Sequence, residues 1–390
     1  MGPIELELAL GICVRQLRKF RRTVAPRSVD SPDQAWKNLH GPPVNLAVPA
    51  APVHFPARAA LAFRRSGYPL DDLCVNAPLV PRCVTGASSR VIIRSVASRI
   101  DRFGVSVFLF FTFGLSSIFY FLIIRSGHVG GGGGSYAAGL MWCPGAAALL
   151  ACKYLRRDIG SLGWKWGKTR YQAASYLIPL GYAIVTYSFV WLMGFGGVPN
   201  KDFVDGATKD FGLGAMPAWA SIALSFLFTA TTGVISDCAT TMGEEIGWRG
   251  FLVPELAKRH SFAGTAIISG LVWAVWHFPI LLFADYHAPT PTRYYLPIFI
   301  LTLPAISFVL TWMRLRSGSL WTGVILHASH NTFMQTFFQP LTIDNSRTRY
   351  VAGEFGVALL VIAVLLAAYF WKRRGELKRT DADNARQATA

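Results

Sequence analysis

Three polar pairs, each spaced four residues apart, interrupt the apolar second half of this chain: Glu245 with Arg249 in Glu244-Glu245-x-x-x-Arg249, Trp273 with His277, and His327 with Asn331. Residues four apart share one face of a helix, so each pair can address a common cavity. Adjacent residues point about 100° apart, which gives the two glutamates different work. Glu245 stands four before Arg249, the better orientation for an ion pair, and a guanidinium fork can grip both of its oxygens. Glu244 is left on another face, free to meet a water as a general base. An imidazole and an amide on one face, as at His327 and Asn331, are what a developing oxyanion needs. His277 lies in a stretch from Ser269 to Pro279 that is otherwise apolar or small. Each group also has a plainer reading. The glutamates and Arg249 could form a helix-end charge network, His277 could be a hydrogen-bonded core residue, and His327 with Asn331 could be interhelical glue. By its spacing His330 points away from the His327–Asn331 face.

The elements that must position these groups are membrane helices. The chain has 390 residues, is 52% hydrophobic and has a mean hydropathy of +0.37, and its apolar residues come in long blocks. A spanning helix needs about 20 mostly apolar residues. Eight stretches qualify, near 104–124, 138–153, 173–195, 217–237, 262–284, 295–313, 319–339 and 351–371, so the expectation is an all-α polytopic membrane protein. The net charge of +17 marks a membrane side rather than a nucleic-acid partner. Arg90 to Arg102, Lys153 to Arg170, Lys258 and Arg259, Arg314 and Arg316, and Lys372 to Arg379 alternate with loops poorer in positives, Arg347 and Arg349 being mild exceptions. By the positive-inside rule both termini are cytoplasmic and the chain is multi-pass, in the cell membrane. Counted at 1.5 Å per residue from the basic ends, Glu244, His277 and His327 lie roughly 21, 27 and 17 Å along their helices. Ionisable groups at such depth are costly, and three of them at similar height point to one site.

The segment from Pro217 to Arg259 would be about 64 Å long as one helix, twice the bilayer core. It must bend near Thr240-Thr241-Met242-Gly243 or extend into the cytoplasm. Residues 1–95 are rich in Pro, Ala and Arg and show no sustained period, which reads as a disordered or spurious extension. The membrane domain is 96–371, and 372–390 is a polar cytoplasmic tail. Six scattered cysteines form no C-x-x-C pair, so neither a zinc knuckle nor a disulfide scaffold is indicated.

The ordered motifs resemble those of the type II CAAX prenyl endopeptidases and bacteriocin-immunity proteins, the CPBP group of intramembrane proteases. The residues that carry the likeness are Glu244-Glu245-Ile-Gly-Trp-Arg249-Gly250, Trp273-Ala-Val-Trp-His277 and His327-Ala-Ser-His-Asn331. Trp248 and Trp273 stand where the group usually has Phe, departures expected to reshape the pocket without touching the chemistry. The resemblance implies an intramembrane endopeptidase in which Glu244 and His277 activate the attacking water, while His327 and Asn331 stabilise the oxyanion. Its partners would be membrane lipid and a peptide or prenylated protein. No cofactor is required by a glutamate mechanism, but Glu244, His277 and His327 could instead be three ligands of a catalytic zinc with an open position. The alternative is a non-proteolytic immunity or scaffold protein of the same fold. A transporter using a proton-coupled Glu/His pair is a third reading.

Overall fold

A computed structural model describes residues 103–212 and 216–377. The expectations for residues 1–95 and for the tail beyond 377 lie outside the described residues. Among those residues the secondary structure is helical, with one isolated β-bridge between Gly197 and Ile343. The membrane helices are α1 (Gly104–Ser126), α2 (Ser135–Tyr154) and α3 (Thr169–Leu192). A short amphipathic α4 (Lys201–Phe211) leads to the long α5 (Ala218–Ala257). Then come α6 (Phe262–Phe283), α7 (Thr292–Ser317), α8 (321–341) and α9 (Val357–Lys372). Six of these, α1, α2, α3, α5, α6 and α7, are long and apolar enough to cross a membrane by length and composition. Helix α9 is apolar but has only 16 residues. Helix α8 carries the His327–Asn331 motif.

Helix ends sort onto two faces as the charge alternation requires. On one face Arg157 pairs with Glu255 at 2.8 Å, Arg314 reaches the Leu162 carbonyl, the Leu320 N–H donates to the Gly163 carbonyl, and Trp312 donates to the Arg373 carbonyl. On the other, Gly197 bridges Ile343, His128 meets Asp285, and Arg349 donates to the Pro289 carbonyl. The core sits around α7, whose most apolar stretch is 67% buried, against 28% for that of α1 and 17% for that of α5, whose later part turns inward to the site.

Helix α5 does not break at Thr240–Gly243; Val234–Glu245 is regular α-helix. The irregularities flank it as π-helical segments, Thr229–Gly233 and Ile246–Leu252. A third, Asn331–Phe338, lies in α8. Gly243 is there for another reason. It lets α5 cross α2 closely: a Cβ on Gly243 would fall 2.6 Å from Trp142 Cα, and one on Gly247 would fall 2.5 Å from Pro144 Cβ. That crossing brackets Glu244 and Glu245 and fixes how far α5 stands from its neighbour. Cys143, Cys152 and Cys238 are free thiols.

Candidate active site

Helices α5, α6 and α8 bring Glu244, His277, His327 and Asn331 to the wall of one cavity of about 160 Å³. Its remaining lining is largely apolar, including Leu140, Ile280, Phe299, Leu303, Ile306 and Leu326. Glu244, His277 and His327 are all buried. Three motifs separated by up to 83 residues of chain thus meet at one place, as their similar depth predicted.

Glu244 is held by two indoles. Its Oε2 accepts from Trp273 Nε1 at 2.8 Å and from Trp248 Nε1 at 3.2 Å. The two tryptophans, expected only to reshape the pocket, thus bond the Glu244 carboxylate directly. Phe has no donor, whereas an indole N–H satisfies a buried carboxylate that would otherwise lose its hydration. Trp248 is packed in turn edge-on to Phe108 of α1 and Trp276 of α6, so its donor is fixed by core packing.

Glu245 and Arg249 form a clamp with a third member. Arg249 Nη1 meets Glu245 Oε1 at 2.7 Å, and His327 Nδ1 meets the same oxygen at 3.0 Å. The expected two-oxygen grip is absent: Glu245 Oε2 has no hydrogen-bond partner among the described residues. It faces Gly323 of α8, where a Cβ would collide with it. Arg249 also lies over the Trp273 ring, 4.3 Å from its centroid. One tryptophan therefore links the clamp to Glu244.

The hydrogen-bond partners set both histidine tautomers. His277 Nδ1 lies 2.8 Å from the Trp273 carbonyl, which only accepts, so Nδ1 carries the proton. His327 Nδ1 faces the Glu245 carboxylate and donates for the same reason. In each ring Nε2 is left for the cavity. His277 is further fixed by Trp276 edge-on at 4.8 Å and by Tyr286 stacked at 5.8 Å.

His330, expected to point elsewhere, lines the same cavity. Sequence reasoning missed its partners Glu354 and Tyr182, and with them Tyr286, which donates to Glu354, and Gln335, which donates to Asn331. Glu354 is the lone acid between Asp344 and Glu376, next to an apolar span, and that isolation was the available signal. For a metal, Glu244, His277 and His327 offer suitable donor types. As placed, no three His, Cys, Asp or Glu side chains among the described residues are grouped to hold one ion, so no step below is routed through a metal.

The family model described as type II CAAX prenyl endopeptidase Rce1-like matches residues 217–333. CAAX prenyl protease 2 of Methanococcus maripaludis is 29% identical over 127 residues, which is 32% of this chain and 44% of that protein. The chain spans less than half the length of that relative. The matched segment contains Glu244, Glu245, Arg249, His277, His327 and Asn331. Over residues 217–333, then, this chain is similar to the type II CAAX prenyl endopeptidase Rce1-like family.

Proposed function

We propose that this multi-pass membrane protein is a CAAX-type intramembrane endopeptidase that hydrolyses a peptide bond with a water activated by Glu244 and His277. The observation that carries the reading is the convergence of Glu244, His277, His327 and Asn331, from three helices, on one mostly apolar cavity. The unprotonated Nε2 of His277 accepts one hydrogen of the water, and Glu244 accepts the other. The water oxygen adds to the scissile carbonyl carbon as Glu244 takes its proton. The carbonyl oxygen becomes an oxyanion, which receives hydrogen bonds from Nε2–H of a doubly protonated His327 and from the Asn331 amide. The C–N bond then breaks, and Glu244 returns the proton to the leaving amine. Glu245 and Arg249 hold His327 and take no part in proton transfer. The apolar wall suits an isoprenoid or aliphatic side chain beside the scissile bond, the chemistry of a prenylated CAAX terminus.

The test uses an internally quenched, S-farnesylated peptide ending in a CAAX sequence, with the full chain in proteoliposomes. Glu244→Gln, His277→Ala and His327→Ala should each lower turnover at least about 10³-fold while the melting curve stays cooperative, as expected for groups that act as a unit. Full activity in all three variants would overturn the assignment. A chelator arm distinguishes mechanisms: activity that survives EDTA supports glutamate alone, and activity lost to EDTA and restored by zinc transfers the role of Glu244 and the two histidines to ligation. The competing non-proteolytic role is the outcome in which protection or partner binding persists in Glu244→Gln.

A further inference from the structure

A second polar group shares the cavity, and the proposed proton transfers do not use it. Glu354 lies in the loop between α8 and α9, with its side chain 15% exposed. Its Oε1 is 3.2 Å from His330 Nε2, and its Oε2 accepts from the Tyr286 hydroxyl at 2.9 Å. Tyr182 OH stands 2.6 Å from His330 Nδ1. A hydroxyl donating to Nδ1 and Nε2–H donating to Glu354 make one consistent neutral tautomer for His330. Gln335 lines the same cavity, and its amide is among the groups that hold the Glu354 carboxyl below the usual range. With His330 and Tyr286 bonded to it, Glu354 is committed to structure and is a poor ligand for a substrate cation.

Gln335 makes this cluster relevant to catalysis. A carboxylate only accepts, so Gln335 must turn its NH₂ group toward Glu354. The same Nε2 donates to Asn331 Oδ1 at 3.5 Å. That distance is long for a resting enzyme, and such contacts tighten as the reaction proceeds. An amide flipped by 180° has almost the same shape, so hydrogen bonding alone decides which end of Asn331 faces the substrate. With its oxygen engaged by Gln335, the Asn331 nitrogen is the end left to donate.

We propose that Glu354 and Gln335 are positioning residues that set the Asn331 amide with its NH₂ toward the developing oxyanion. Glu354 fixes the orientation of Gln335, and Gln335 fixes that of Asn331. The same carboxylate holds Tyr286, whose ring is stacked on His277 at an interplanar angle of 20°. One loop carboxylate thereby orients a group on each side of the scissile bond. This inference rests on the reading of Asn331 as an oxyanion donor.

The decisive variant is Gln335→Glu, which keeps the shape and places an acceptor against two acceptors. With the farnesylated peptide, its kcat should fall about 10- to 100-fold, part of the roughly 10²- to 10³-fold that loss of one oxyanion donor costs, with KM within about twofold. In an Asn331→Ala background the same change should cost less than about twofold, because the amide it orients is gone. Equal losses in both backgrounds would overturn the proposal, as would unchanged kcat in Gln335→Glu. Glu244→Gln is assayed in parallel. If it cleaves as fast as wild type, the role assigned to Glu244 fails, and if wild type itself does not cleave, the proteolytic reading fails; in either case the melting cycle alone decides the relay. That cycle compares Gln335→Leu, Glu354→Gln and the double variant of the full chain. Coupled residues predict a double shift no larger than the larger single shift, whereas additive shifts would refute the Glu354–Gln335 link.

Discussion

Removing the charge of Glu245 alone should destabilise the protein more than removing the charges of Glu245 and Arg249 together. Arg249 is 2% exposed and Glu245 wholly buried. Glu245→Gln keeps the volume, and its amide oxygen can still accept from His327 Nδ1. What it removes is the charge opposite a buried guanidinium. Leaving one member of such a pair uncompensated costs about 3–5 kcal/mol. Here the lower figure applies, because the Trp273 face 4.3 Å away continues to stabilise the cation. About 3 kcal/mol is roughly two decades in the folded fraction. On the scale of soluble domains of comparable size it is a drop of about 6–12 °C in apparent Tm. Arg249→Met should cost a similar amount. The double variant Glu245→Gln/Arg249→Met removes both charges of the clamp and should recover to within about 1–2 kcal/mol of wild type, since apolar replacements of buried pairs are often neutral. It should nonetheless cleave poorly, because His327 no longer has a carboxylate on Nδ1. Thermal melts of the four proteins in one detergent, with the quenched farnesylated peptide as activity assay, separate the two effects. Additive losses in the double variant, or a Glu245→Gln melt within about 2 °C of wild type, would refute the argument.

Two other outcomes follow from the same geometry. Trp273→Phe keeps a ring beneath Arg249 but removes the 2.8 Å donor to Glu244; a hydrogen bond to a charged group contributes about 1.5–3 kcal/mol, so turnover should fall about 10- to 100-fold, read in the peptide assay. Gly323→Ala drives a methyl into Glu245 Oε2 in a fully packed place; overpacking of about 1–3 kcal/mol should appear as a lower Tm and as weaker activity through His327.

Sequence alone exposes the helices and the first residues of the site, for identifiable reasons. Hydropathy finds α1 to α3 and α5 to α9 because the bilayer demands long apolar runs, and it passes over the polar, amphipathic α4. Four-residue spacing finds Glu245 with Arg249 because helical geometry brings such residues together. What it misses depends on atoms rather than periods. Trp248 and Trp273 look like large apolar residues, and their N–H groups matter only once Glu244 is beside them. Likewise, Gly323 looks like an unremarkable helix glycine until Glu245, 78 residues earlier in the chain, is packed against it. Glu354 reaches the cavity from a loop, so no helical spacing connects it to His330 or Gln335. The bend expected near Thr240–Gly243, with extension into the cytoplasm as its alternative, rests on helix length alone. Gly243 serves the α2 crossing, and the irregular turns lie on either side.

Those irregular turns bear on how the site is held. A π-helical segment shifts backbone bonding to the i→i+5 pattern and is often found at functional sites. Within a membrane, any carbonyl it weakens needs another donor, because no water is at hand. In all three segments a neighbouring side chain supplies one. Tyr176 donates to the Ala230 carbonyl at 2.6 Å, Arg314 Nε to the Arg249 carbonyl at 2.8 Å, and Tyr187 to the Met334 carbonyl at 3.2 Å. Two of the segments begin at site residues or directly after them, at Ile246 following Glu245 and at Asn331 itself. The donors come from α3 and α7, helices that supply none of the four proposed catalytic groups. The widened turns are therefore braced from outside the site, so the frame that aims Glu244 and Asn331 includes Arg314 and Tyr187 as well as the motif helices. A fold assembled only from the three motif helices would leave those carbonyls unsatisfied in an apolar medium, which explains why a mostly apolar bundle of this size surrounds so small a polar centre.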